Sequence, residues 1–281
     1  MKFLCLLLLI ICINIYFVVG LDNLDDFEFY HRKNRIVGGI NASINSLPYQ
    51  AQLLQNGHLI CGGTIISKLW IVTAAHCIYK SKPVWSIIVG SADVSTGGEH
   101  HKISNIIVHP KYDNQTEDND IALIKLAKLI VFNRHKKSVP LAIVPPKTGD
   151  LMIISGFGKL GEYKGYPLIL EKATVIVSDH AACKIKYQGD PITDNMFCAG
   201  AGVTDACQGD SGGPGIINGY LAGVVSSGME CASIYYPGIY TKVFNYHKWI
   251  IKTMRTRKSG FQEILRHSFF GKLIEHLFTK I

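Results

Sequence analysis

Ser211 lies between glycines in Asp205-Ala206-Cys207-Gln208-Gly209-Asp210-Ser211-Gly212-Gly213-Pro214. Glycines on both sides let the backbone turn tightly and present the serine Oγ and nearby N–H groups to a ligand. A serine hydroxyl is a weak nucleophile near neutral pH and needs a base within hydrogen-bond reach. His76, in Ala74-Ala75-His76-Cys77, can supply that base. The imidazole in turn needs a third group to fix its tautomer and stabilise the cation that forms. Asp120, in Asn119-Asp120-Ile121-Ala122-Leu123, opens an apolar strand-like run, so its carboxylate could be partly buried. Acyl transfer by a serine nucleophile is the chemistry that these three residues allow together.

The segments around these residues read as strands. Asn56-Gly57 separates QAQLLQ from HLICGGTII, and Asn218-Gly219 separates GII from YLAGVVS. Asn-Gly between apolar runs signals a two-residue hairpin turn, because both central residues need positive φ. WSIIVG, KISNIIVH, IALIKL, LMIIS and EKATVIV add further strands, and no strand–helix alternation appears. NYHKWIIKTM reads as a short helix by its apolar spacing. An all-β architecture with a C-terminal helix fits this pattern.

Both ends differ from the body. Residues 3–20 are almost wholly apolar, follow Lys2 and end at the small Gly20. They read as a signal peptide, 1–20, with an uncleaved membrane anchor as the rival. Residues 21–35 are polar and too short for a core, which suits a propeptide. Without both ends a body of about 220 residues remains, within the range of a single β-barrel domain. Cys5 and Cys12 leave with the signal; Cys61, Cys77, Cys183, Cys198, Cys207 and Cys231 remain. An even count behind a secretory signal suggests three disulfides and an extracellular, secreted protein. Spacing alone leaves about 15 connectivities open.

The net charge is +8, yet residues 252–281 carry seven Lys/Arg against two Glu, so the tail holds +5 of it. The basic balance is therefore mostly a tail property and does not argue that the body binds nucleic acid. In FQEILRHSFFGKLIEHLFTKI the apolar residues recur every three or four, which makes one apolar helix face. Ser259 and Gln262 resemble a capping box. The plainer reading of 256–281 is a helix packed on the body or an appendage; the sharper one is a basic amphipathic helix docking on a membrane surface or a partner.

Taken together and in the order His76, Asp120, Ser211, the motifs resemble the chymotrypsin/trypsin family over about residues 36–254, with a general likeness to arthropod and mite trypsins. The resemblance implies two six-stranded antiparallel β-barrels side by side with a C-terminal helix, and a protease domain over 36–255. It implies Ser211 as nucleophile, His76 as base then acid, Asp120 as its orienting partner, and the N–H groups of Gly209 and Ser211 as oxyanion hole. It further implies the disulfides Cys61–Cys77, Cys183–Cys198 and Cys207–Cys231. Asp205 matches the floor of the primary pocket and Gly228 and Gly238 its walls, so cleavage after Arg or Lys is expected. Arg35-Ile36-Val37-Gly38-Gly39 matches a zymogen cleavage site, where the freed amine of Ile36 would pair with Asp210. An enzyme that cuts after Arg could process Arg35 itself. Expected partners are peptides and proteins with Arg or Lys at the cleaved position and protein protease inhibitors; a monomer without cofactor or metal is expected.

The chain also departs from that pattern. Ser227 stands where the family usually has Trp, Glu230 replaces a usual Gly, and Glu117 and Asp118 add negative charge just before Asp120. These changes suggest a preference for basic or small neighbours of the cleaved residue. They also ground a rival reading, a protease-fold binding protein with little turnover. The run from Gly90 to Glu99 lacks the full pair of acidic ligands of calcium-binding trypsins, so no bound calcium is expected. Gly156-Phe157-Gly158-Lys159-Leu160-Gly161 matches GxGxxG, but no helix follows, so it reads as a strand and turn rather than a dinucleotide site. Glu99-His100-His101 offers metal-type ligands, but no further ligands sit at a recognisable spacing, so it reads as a solvated loop. Asn41-Ala42-Ser43 and Asn114-Gln115-Thr116 are glycosylation sequons.

Overall fold

The computed structural model describes residues 38–79, 85–202 and 204–267. The expected signal and propeptide, the Arg35-Ile36 bond, the two leader cysteines and residues 268–281 lie outside them. Thirteen strands and two helices are formed by the described residues. The strands are β1 (Ile40–Asn41), β2 (Gln50–Gln55), β3 (His58–Ser67), β4 (Trp70–Thr73), β5 (Trp85–Val89), β6 (Glu99–Val108), β7 (Ala122–Leu126), β8 (Leu151–Gly156), β9 (Glu171–Ile176), β10 (Met196–Ala199), β11 (Pro214–Ile217), β12 (Tyr220–Ser227) and β13 (Gly238–Lys242). Helix α1 spans His180–Lys186 and α2 spans Val243–His267.

The first six long strands close into a barrel in the order β2-β3-β4-β7-β6-β5, and every pairing is antiparallel. The others form a sheet ordered β1-β9-β8-β11-β12-β13-β10. A bridge between Val177 and Ala199 joins β9 to β10, so six of its strands also come full circle, with β1 added outside β9. These are the two barrels. The hairpins between β2 and β3 and between β11 and β12 turn on Asn56-Gly57 and Asn218-Gly219. All four residues have positive φ, as a primed two-residue turn demands.

The first barrel is filled by Leu53, Ile65, Ile71, Ile87, Leu123 and Ile124, all wholly buried. Each such side chain contributes about 1.5–3 kcal/mol relative to exposure. Strand β7 (ALIKL) is buried on both faces apart from Lys125, because its outer side is also covered. Val243, Tyr246 and Ile250, one face of the first turns of α2, belong to the same core, as do Ile216, Leu221 and Val224 from the second barrel. Met152, Ile154, Val175, Phe197 and Tyr240 fill the second barrel.

Two expectations are corrected. Helix α2 continues unbroken through Ser259 to His267. The Ser259–Gln262 pair therefore starts no helix. Glu99-His100-His101 is not a solvated loop but the start of β6, with His101 buried. The segment pairs with β5, Glu99 opposite Val89 and His101 opposite Ile87; Glu99 also meets Lys136 Nζ, and its Oε1 lies 3.0 Å from His101 Nε2. Among the described residues, no helix is long and apolar enough to cross a membrane.

Three disulfides brace the loops, Cys61–Cys77, Cys183–Cys198 and Cys207–Cys231. Cys61–Cys77 closes 16 residues between β3 and the turn that carries His76. Replacing both cysteines by serine should cost about 3 kcal/mol by the loop-closure argument. Urea unfolding would then show a lower midpoint; an unchanged midpoint would contradict that role.

Candidate active site

The three chemistry-bearing residues come from three strand ends. His76 follows β4, Asp120 precedes β7, and Ser211 precedes β11. Strands β4 and β7 pair with Thr73 opposite Ala122, so the chain leaving one and the chain entering the other meet at the same barrel end. There Asp120 Oδ1 accepts the backbone N–H of His76 at 2.8 Å, and Oδ2 lies 2.8 Å from His76 Nδ1. The second barrel adds two contacts. Ser226 Oγ donates to Asp120 Oδ2 at 2.6 Å, and Thr241 Oγ1 donates to the Asp120 carbonyl at 2.7 Å. Asp120 has 0% of its surface exposed. A side chain so deeply buried has its polar atoms satisfied by these donors.

The charge acts on the imidazole. Burial alone would lower the His76 pKa, but the hydrogen bond that the ring donates to Asp120 and the charge of that carboxylate oppose this, helped by the charge of Glu117. The net displacement is upward from 6.5. With Nδ1 tied to Asp120, the proton of the neutral ring sits on Nδ1 and leaves Nε2 as the acceptor.

Ser211 sits on a loop pressed against the first barrel. Its carbonyl accepts Gly62 N–H of β3 at 2.8 Å. Gly212 has φ +78°, and a Cβ there would collide with Thr73 Oγ1 and the Gly62 carbonyl. Only glycine permits that approach. The intervening amides divide in use. Asp210 N–H is bonded to the Cys207 carbonyl, whereas the N–H groups of Gly209 and Ser211 have no protein partner among the described residues. Lys159 N–H holds the Gln208 carbonyl at 2.8 Å, which turns the N–H of Gly209, across the same trans peptide, the opposite way.

His76 and Ser211 line one cavity of about 250 Å³. No hydrogen bond joins their side chains; such bonds at active sites often tighten only with substrate. Asp205 lines the same cavity and is 1% exposed, accepting from Ala206 N–H at 2.8 Å and Ala232 N–H at 3.2 Å. Burial pushes its pKa up to about 7. Gly228 and Gly238 line the same space, and a Cβ on Gly238 would lie 2.7 Å from Asp205 Oδ1. Asp210 is also buried, accepts from Gly158 N–H (2.7 Å) and Cys207 N–H (3.0 Å), and is pushed up to about 6 by burial. Its expected partner, Ile36, lies outside the described residues.

Several contributors escaped the sequence reading. Ser226 and Thr241 reach Asp120 from positions 106 and 121 residues away. Their only local signal is a hydroxyl on an otherwise apolar strand. Asp118, expected beside the cleft, is turned away: Thr193 Oγ1 and Asn195 Nδ2 donate to its Oδ1 at 2.6 and 3.1 Å.

A polar cleft between two barrels, with a serine, an oriented histidine and a buried carboxylate at its centre, defines a chymotrypsin-like hydrolase. The Trypsin family model matches residues 36–250. Human Serine protease 1 is 44% identical over 225 residues, covering 79% of this chain and 90% of that protein. Trypsin-3 of Salmo salar is 42% identical over 242 residues, 85% and 97% of the two chains. The solved structure of neuropsin, a mouse brain serine protease, superposes with a TM-score of 0.73 at 37% identity, covering 77% of this chain and 98% of its own. The chain belongs to the trypsin family and is a trypsin-like serine endopeptidase.

Ser226→Ala should remove a hydrogen bond to a buried charge and cost about 1.5–3 kcal/mol. Denaturant unfolding in a Ser211→Ala background, which prevents self-digestion, measures it. An unchanged midpoint would mean that Ser226 does not hold Asp120.

Proposed function

We propose that this protein is a secreted zymogen which, once cut at Arg35-Ile36, hydrolyses peptide bonds after Arg and Lys through an acyl-enzyme. The observation that carries the reading is the buried Asp205 carboxylate in the wall of the cavity that Ser211 and His76 also line. A carboxylate held out of water calls for a cation. The glycine walls at 228 and 238 leave room for a long basic side chain.

In this reading Ser211 Oγ attacks the scissile carbonyl as His76 Nε2 takes its proton. Asp120 holds Nδ1–H and stabilises the imidazolium. The negative charge that develops on the carbonyl oxygen is met by the N–H groups of Gly209 and Ser211, each such donor worth about 2.7–4 kcal/mol in the transition state. His76 then protonates the leaving amine, and water, activated by the same ring, releases the acyl group.

Asp210 supplies the switch. It is a buried carboxylate with two backbone donors and no cationic side chain near it among the described residues. The amine of Ile36, which exists only after cleavage, is the cation the reading assigns to it. Burying both charges costs desolvation unless they meet, so an uncut chain gains nothing from the arrangement. Three disulfides fit an oxidising, extracellular setting. The protein is read as a monomer that acts on peptide and protein substrates and is open to protein inhibitors that fill the same cleft.

The test is hydrolysis of a chromogenic Arg amide before and after cleavage at Arg35-Ile36, with Ser211→Ala as control. Activity should appear on cleavage and vanish in the variant. Equal activity in both proteins, or a preference for an apolar amide over the Arg one, would overturn the reading.

A further inference from the structure

The turn between β6 and β7 contains the sequon Asn114-Gln115-Thr116. Other residues set its shape. Asp113 N–H bonds the Asp118 carbonyl (3.0 Å), Gln115 N–H bonds Asp113 Oδ1 (2.8 Å) and Asp118 N–H bonds Thr116 Oγ1 (3.3 Å). Asn114 itself is exposed, and its carboxamide has no hydrogen-bond partner among the described residues. Its Nδ2 is therefore free to carry a substituent without loosening the turn.

The position matters because of what lies beside it. Asn114 lines a cavity of about 230 Å³ that adjoins the one holding Asp205. The two cavities share Glu117, Ser227, Gly228 and Ile239 in their walls, but Asn114 belongs to the second alone. A group attached there stands on the rim of the cleft and outside the space that Ser211 and His76 line. The other sequon is placed differently. Asn41 sits in β1, opposite Glu171, and lines neither cavity.

We propose that Asn114 carries an N-linked glycan that stands at the rim of the cleft and hinders protein-sized ligands while sparing short peptides. A small peptide amide needs only the first cavity. A folded protein ligand covers about 800 Å² of the enzyme's surface, so it must reach over the rim as well. A bulky, hydrated oligosaccharide on Asn114 obstructs the second kind of ligand and leaves the first alone. In the modification, Asn114 Nδ2 forms a bond to the anomeric carbon of an oligosaccharide carried on a polyisoprenyl diphosphate. The bond from that carbon to the phosphate oxygen breaks, the lipid diphosphate leaves, and the Nδ2 proton is lost to solvent. Such a transfer accompanies export of the chain, so the assignment rests on the secretory part of the reading above.

The test expresses the full chain in a eukaryotic secretory host, collects it from the medium, cuts it at Arg35-Ile36 and divides it in two. One half is treated with a peptide N-glycosidase. Peptide mass spectrometry should find a glycan on Asn114 in the untreated half and none in the other. Removal should speed binding of a protein inhibitor of trypsins by about threefold to tenfold, within the range over which association rates vary at one interface. The kcat/KM for a small Arg amide should stay unchanged. Asn114→Gln should match the treated half, and Asn41→Gln the untreated one. Because the two halves come from one preparation, a folding defect in a variant leaves their comparison intact. An unmodified Asn114 in a secreted chain that cuts the Arg amide would overturn the assignment and leave the Arg-directed reading standing. So would a glycan whose removal leaves inhibitor binding unchanged. A chain kept inside the cell without a glycan would overturn the secretory reading as well.

Discussion

Asp120 is the constraint on which the site depends. Its carboxylate and carbonyl are shared between the two barrels: His76 comes from the loop after β4, Ser226 from β12 and Thr241 from β13. A wholly buried charge tolerates no missing donor, so the barrels can meet in only a narrow range of positions. That same requirement holds the imidazole with one nitrogen inward and the other towards the cleft. Positioning the base and joining the barrels are thus one interaction. Ser155 Oγ donating to Gln50 Oε1 at 2.7 Å, also buried, fixes the interface at a second point.

The nucleophile loop is placed by close approach rather than by charge. Gly212 against Thr73 and Gly62, and Gly62 against Gly213, bring backbones together where any side chain would intervene. The result is a loop whose amides are already committed: Asp210, Gly212 and Gly213 N–H groups are bonded within the fold, and those of Gly209 and Ser211 are left over. Around this centre the cavity also carries carboxylates. Asp205, Glu117 and Glu230 all line the same cavity. Three of the residues that line this cavity are therefore acidic.

The residues that carry chemistry were legible because each sits in a short, distinctive string: Gly-Asp-Ser-Gly-Gly, Ala-Ala-His-Cys, Asn-Asp-Ile-Ala-Leu. The hairpins at Asn56-Gly57 and Asn218-Gly219 were legible for a local reason too, since positive φ at two adjacent residues is a property of the turn alone. Ser226 and Thr241 were not, because nothing local marks a hydroxyl whose partner lies more than 100 residues away. Asp118 and Glu117 looked alike in sequence and separated only when Thr193 and Asn195 folded against one of them. His101 misled for a related reason: its neighbour Glu99 and the distant Lys136 form a charge group that no spacing rule contains. The helix at the end of the chain ran past its expected limit because α2 is anchored by Tyr246 and Ile250 in the first barrel's core, and no breaker strong enough to stop it follows.

The central claim is that the Asp120 charge, held dry between the barrels, governs the His76 ring. His76 serves as a base only when neutral, and its pKa in the folded protein lies above 6.5. Activity should therefore be lost as pH falls through that raised value. The direct measurement is an NMR titration of the His76 ring in a Ser211→Ala background, with and without Asp120→Asn. The account predicts a pKa above 6.5 that drops below it in Asp120→Asn, where burial acts without the compensating charge. A pKa at or below 6.5 in the first protein, or no change in the second, would contradict it.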